Sequence, residues 1–383
     1  MAEDPKFPLY RAASCGLLAM LAAIGIARFG YSPLVPALVA AHWFSAAQAF
    51  WLGAVNLLGY LIGAGIMRSW RGAIRAKPAV VTLMLLTAIC LAASAWNEGL
   101  IYFGLWRLLS GMTGGALMVL MAAAITGRAP PAKRGQVGGV VFAGMGAGIM
   151  LSGLVIPRLL PLGLPATWAI LGGLAFIATI IVAAAMPAAT IQAAKASGER
   201  TLTRPILLLL TAYALCAIGF VPHMLFLSSY IAIGLHRGVA AGAFSTATLG
   251  LAATIGPPFL GRLADRFGFL PTLTAGYLLM AASAALPLLT TNTLGLAVSA
   301  FGVGSIGLGT VMLTSGAISG LVPPARLAAT WGLATITYAL TQALCAAAFT
   351  TLFHATGSFL VLFMIATMAA AGASLCVFGA IKK

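Results

Sequence analysis

Two arginines stand where the chain is otherwise oil. Arg28 sits in the stretch GIARFGYSPLVP (Gly25–Pro36) and Arg107 in RLLSGMTGG (Arg107–Gly115), each inside a long apolar run. A guanidinium does not deprotonate in a protein, and at the centre of a bilayer it costs roughly 2.5–3.5 kcal/mol by insertion scales. Arg28 lies about sixteen residues into its run, ~24 Å at 1.5 Å per residue, too deep for the side chain to snorkel to an interface. The five acids, Glu3, Asp4, Glu98, Glu199 and Asp265, all fall in loops or the N-terminal tail. With no carboxylate placed to neutralise the charge, the remaining compensator is a bound anion, and a planar guanidinium fork suits a carboxylate or a tetrahedral oxyanion. Arg28, with Tyr31 close by, and Arg107 are therefore candidate binding residues for an anionic, carboxylate-bearing solute. For Arg107, about eight residues into its run, helix packing is the competing reading.

His223, next to Pro222, is the only side chain in the apolar runs that normally titrates near neutral pH. It is the candidate for proton coupling, against the readings of a satisfied core histidine or a metal ligand. Trp331, Thr335, Tyr338 and Gln342 recur at i, i+4, i+7 and i+11, one helical face. Asn56 and Tyr60 lie one turn apart. A polar stripe in an apolar helix faces protein or water rather than lipid, so these six are candidate solute contacts, with helix packing as the alternative. His42, His236 and His354 fall at the ends of runs without metal-ligand spacing, and of fifteen methionines only Met364 and Met368 stand at M-x-x-x-M spacing and none at H-x-x-x-M. The five cysteines contain no C-x-x-C, so neither a disulfide framework, a metal site nor a cofactor is expected. No nucleophile–base set or phosphate loop points to an enzyme.

These residues need elements to hold them. Hydrophobic types make up 62% of the 383 residues and charged types 7%, with a mean hydropathy of +1.08. That leaves too little polar surface for a soluble fold, and long runs rather than ten-residue alternation exclude a barrel. Twelve spans are expected, at 12–41, 46–67, 78–96, 99–126, 136–157, 166–186, 205–232, 238–260, 270–289, 293–319, 327–352 and 357–380. The first is too long for a signal-peptide core and lacks a clean cleavage site, so it should remain as a span. Of 21 Lys and Arg, seventeen fall in one set of alternate loops and tails, only Arg158 and Arg237 in the other, and Arg28 and Arg107 within spans. The crowded side is then cytoplasmic, with both termini inside. The net charge of +16 is a topology signal, and nucleic acid is not an expected partner.

Shifting the chain by 193 residues lays Gly63 on Gly256, Pro78 on Pro271, Gly111 and Gly114 on Gly304 and Gly307, and APPAK (Ala129–Lys133) on VPPAR (Val322–Arg326). This gives an N-terminal bundle at 1–186, a polar linker at 187–204 and a C-terminal bundle at 205–383. Six spans per half make the repeat parallel, which puts a substrate site between the halves near the midplane. GRLADRFG, with Gly261, Asp265, Arg266 and Gly268, resembles the cytoplasmic loop signature of the major facilitator superfamily. RLLSGMTGG resembles that superfamily's R-x-x-x-G pattern in span 4. GMGAGIMLSG partly resembles its antiporter signature, with Ile149 where the proline would stand. ARFGYSPLVP, NLLGYLIGA (Asn56–Ala64) and GFVPHMLFL (Gly219–Leu227) are similar to the YbfB/YjiJ group of bacterial transporters.

The resemblance implies the facilitator fold, with spans 1, 4, 7 and 10 around a central cavity and Asp265 acting in a cytoplasmic latch, bonded to helix-end N–H groups or paired with Arg266 or Arg326. The expectation is a monomeric, multi-pass protein of the bacterial inner membrane. It would move a small organic anion across the lipid bilayer by alternating access, with protons as the candidate coupling ion. An efflux pump for amphipathic drugs or metabolites, and a non-transporting membrane sensor, are the alternatives.

Overall fold

A computed structural model describes residues 8–70, 72–125, 128–129, 134–192 and 202–381. Among them are twelve helices long and apolar enough to cross a membrane: α1 (Leu9–Ala40), α2 (Ala46–Ser69), α3 (Ala76–Ala93), α4 (Leu100–Ala124), α5 (Val137–Leu162), α6 (Leu164–Ala185), α7 (Arg204–Gly234), α8 (Gly238–Phe267), α9 (Phe269–Leu289), α10 (Thr293–Leu321), α11 (Ala329–Thr356) and α12 (Phe359–Ile381). The basic residues Lys6, Arg71, Lys133, Lys195, Arg200, Lys382 and Lys383 lie outside the described residues. So do Glu3, Asp4, Glu199 and Pro130–Lys133 of the APPAK loop.

Local chemistry sets several boundaries. Ser45 and Gln48 form a reciprocal capping box at the start of α2: the Gln48 N–H donates to Ser45 Oγ at 3.2 Å and the Ser45 N–H to Gln48 Oε1 at 2.9 Å. The GRLADRFG stretch is not a loop, as the sequence resemblance had it, but the last two turns of α8. Nothing in LADRF breaks a helix. Gly268 ends it with φ +90°, a conformation that costs a side chain strain, while its N–H closes on the Ala264 carbonyl at 2.8 Å. The stretch read as a linker also begins with structure. β1 (Ala73–Arg75) pairs antiparallel with β2 (Thr190–Gln192), Ile74 opposite Ile191. The Ala76 N–H continues the ladder to the Ala189 carbonyl at 2.7 Å, and Arg128 Nη2 donates to the Thr190 carbonyl at 2.5 Å.

Contacts gather into two compact units, Met1–Ala194 and Lys195–Lys383. In the first, α2 and α4 approach backbone to backbone at four glycines. A Cβ on Gly59 or Gly63 would overlap the backbone of Leu108 or Met112, and one on Gly111 or Gly115 the carbonyls of Asn56 or Tyr60. Such close approach is how apolar helices associate where lipid is as oily as they are. In the second unit α8 and α10 repeat the arrangement, Gly256 against Ser305 and Gly304 against Leu249. Each of these residues lies 193 positions after its counterpart Gly63, Met112, Gly111 or Asn56, so the repeat is one of contacts as well as letters. Large apolar side chains stay exposed on α6 (Phe176, Ile177, Ile180) and α12 (Leu360, Met368, Leu375), faces suited to lipid.

Candidate functional site

In the first unit the candidate residues converge on one irregular turn. α1 widens to a π-helix over Leu21–Phe29 and returns to α geometry at Tyr31. The Gly30 N–H marks the change of register, shared between the Gly25 carbonyl at 3.1 Å and the Ile26 carbonyl at 3.0 Å. Two causes are local. Pro33 and Pro36 withhold N–H groups from the following turns. Gly25 and Gly148 also let α1 and α5 touch backbone to backbone, a Cβ on Gly25 falling 2.5 Å from the Gly148 Cα. Ser152 then donates to the Gly148 carbonyl at 2.8 Å and reaches the Gly25 carbonyl at 3.5 Å. π-Bulges of this kind are frequent at functional sites.

Arg28 ends the π segment and is half-buried, its Cζ 4.6 Å from the Tyr60 ring centroid and 5.3 Å from that of Phe29. The Tyr60 hydroxyl is also within hydrogen-bonding reach of the same guanidinium. Arg107 differs. It is 2% exposed. Its Nη1 donates to the Ala27 carbonyl at 2.7 Å, and its Cζ stands 4.1 Å from the Tyr31 ring centroid. Tyr31 is fixed by its hydroxyl, which donates to the Ala49 carbonyl at 2.8 Å, and Asn56 Nδ2 donates to the Arg107 carbonyl at 2.9 Å. Arg107 Nε and Asn56 Oδ1 have no partner among the described residues. The sequence reading missed Trp168, fully buried 6.5 Å from Tyr31 and 5.5 Å from Phe103, ring to ring. In an apolar run it carried no signal to separate it from core.

In the second unit the span 11 stripe meets a residue the sequence did not single out. Tyr213 of α7 stacks on Tyr338 at 4.4 Å and lies 6.1 Å from Trp331. Thr335 donates to the Trp331 carbonyl at 3.0 Å, and Gln342 Nε2 reaches Met224 Sδ at 4.0 Å. Thus the stripe faces α7, and its polar end, Gln342, is buried.

His223 lies apart from that set. It belongs to a π segment that begins at Pro222 and ends at Phe226, and a second one runs over Tyr230–Gly234. Its Nε2 is 2.8 Å from Ser299 Oγ, and Ser299 Oγ donates to the Ser283 carbonyl at 2.7 Å. A hydroxyl has one proton. Ser299 spends it on Ser283, so His223 Nε2 is the donor and Nδ1 holds the lone pair, which has no partner among the described residues. Phe363 packs on the ring at 5.2 Å. His223 is 3% exposed and points toward α9, α10 and α12 rather than α11.

Of the GRLADRFG stretch, Gly268 ends a helix, Gly261 packs beside Met312, and Arg266 lies over Phe267 at 5.2 Å. Asp265 is exposed. Among the described residues no hydrogen bond or ion pair is seen between Asp265 and Arg266.

The family model described as uncharacterised MFS-type transporter YbfB matches residues 20–381 of the chain. No match was found among curated proteins.

Proposed function

From the premise that the chain belongs to the family of the MFS-type transporter YbfB, we propose that it carries a small organic anion across the membrane by alternating access, with Arg28 as the residue that binds the anionic group. The observation that carries this is the contrast between the two arginines. Arg107 is sealed in and spends an N–H on a backbone carbonyl, whereas Arg28 is half-buried and laid over the Tyr60 and Phe29 rings. A cation laid on aromatic faces in a low-dielectric surround keeps its charge. Arg107, Tyr31 and Asn56 act as positioning residues: they hold the peptide just before Arg28 and so the widened turn that aims it. Tyr60 shares the anion end of the site. His223, with its open Nδ1, is the group that would take up a coupled proton.

Further parts of the reading rest on charge and repeat. The Lys and Arg asymmetry supports cytoplasmic termini and a bacterial inner membrane. Alternating access would use the six helices of 1–186 and the six of 205–383 as its two bodies. A second reading, efflux of amphipathic compounds, is favoured by one observation, the Tyr213–Trp331–Tyr338 stack, a surface for flat apolar groups.

The test is binding and uptake of a library of carboxylates, phosphates and amphipathic cations by purified protein in proteoliposomes. Arg28→Gln should weaken the best anion by about 10–100-fold, the equivalent of one charge-assisted hydrogen bond at roughly 1.5–3 kcal/mol. A purely cationic substrate, or unchanged anion affinity in the variant, overturns the proposal.

A further inference from the structure

A crevice of about 130 Å³ opens between α8 and α10 in the second unit, lined by Ile231, Arg237, Phe244, Thr293 and Leu296. It is well below the ~300–1,000 Å³ of a site for a whole organic ligand. Two of its three polar side chains, Arg237 and Thr293, meet at one end. Arg237 precedes α8 and Thr293 is the first residue of α10, and Arg237 Nη1 reaches Thr293 Oγ1 at 3.4 Å. Two long helices therefore start here, each with the positive end of its dipole at the mouth and no acid in its first turn. No carboxylate pairs with Arg237 among the described residues. Away from the mouth the lining is mostly apolar, Ile231, Ala241, Phe244, Leu296 and Ala297, with Ser245 turned onto the Gly242 carbonyl at 2.7 Å, and Phe244 is 51% exposed.

The repeat supplies an internal comparison. In the first unit the positions matching Arg237, Thr293 and Leu296, 193 residues earlier, are Phe44, Leu100 and Phe103. Phe44 and Phe103 are buried and pack edge to face at 5.1 Å. Where one unit fills the space with two aromatic rings, the other leaves it open and places a cation at its rim.

We propose that this crevice binds an anionic glycerophospholipid, its phosphate on Arg237 and Thr293 and an acyl chain along Phe244 and Leu296. Helix ends are where headgroups lie, and a guanidinium fork with a hydroxyl beside it suits a phosphate. A free anion would leave the apolar wall unused, and a lipid without net charge would leave the cation uncompensated. The site is independent of Arg28.

The experiment is native mass spectrometry of the full-length protein in mild detergent, titrated with phosphatidylglycerol, phosphatidylethanolamine or inorganic phosphate. Phosphatidylglycerol should bind several-fold tighter than phosphatidylethanolamine, and Arg237→Gln should lower its affinity about tenfold. Leu296→Phe, which keeps the cation but fills the crevice as Phe103 does, should lower it comparably, and it carries the test if the first variant melts early. Equal retention of the two lipids, inorganic phosphate displacing phosphatidylglycerol, or affinity unchanged in a folded variant overturns the assignment.

Discussion

Arg28 and Arg107 share a charge and an apolar setting but differ in what surrounds the guanidinium. Arg107 Nη1 and its ring partner Tyr31 tie α4 to α1 at full burial, so removing the cation leaves the Ala27 carbonyl without that donor. Arg107→Gln should therefore lower the melting temperature of the protein in detergent. Arg28→Gln should leave it unchanged or raise it, since a costly charge is lost. If the two variants melt alike and both lose anion affinity alike, Arg107 touches the solute and its positioning role is wrong. His223 permits a similar separation. A glutamine there can still donate its Nε2–H to Ser299 but cannot titrate. His223→Gln should fold normally and abolish pH-driven uptake while sparing exchange of bound anion. Uptake that still follows the pH gradient would remove His223 from coupling and leave it a buried donor to Ser299.

At the scale of the element, the glycines are where shape is decided. Gly63 and Gly111 in one unit, and Gly256 and Gly304 in the other, each face neighbouring backbone at distances no Cβ can share. Backbone cannot yield as a side-chain tip can, so valine at any of the four should cost at least the 1–3 kcal/mol of an overpacked core. Loss of monodisperse protein on size exclusion is the readout. Gly139→Ala and Gly320→Ala, whose Cβ atoms would meet nothing within 4 Å, should behave as wild type. The sequence marked Gly63, Gly111, Gly256 and Gly304 through the repeat, but which residue each one faces came only from packing.

For the whole molecule, the imbalance of basic loop residues makes a topological prediction. Green fluorescent protein fused after Lys383 should fluoresce, and alkaline phosphatase fused at the same point should be inactive. Alkaline phosphatase inserted in the loop after Arg158 or Arg237 should be active. The reverse pattern would invert the orientation and with it the sense of transport.

The number of spans, the places of most of them and the internal repeat were determined by the sequence, because the bilayer fixes how many apolar residues a crossing needs and a repeated bundle must keep the small residues at its tight contacts, whereas α8 runs seven residues past its expected end. The family, too, was legible from short motifs such as GRLADRFG and ARFGYSPLVP. The sequence also singled out Arg28, because a charge in oil is conspicuous in one dimension. Tertiary structure alone decided what the second arginine does. Arg107 reads like Arg28 along the chain, yet its guanidinium ends on a carbonyl eighty residues away in sequence. It likewise decided that Tyr213 joins Trp331 and Tyr338, that His223 turns toward Ser299, and that α1 widens around Arg28. In an apolar helix of nearly uniform composition, periodicity gives no face, so direction comes only from the neighbours a side chain meets.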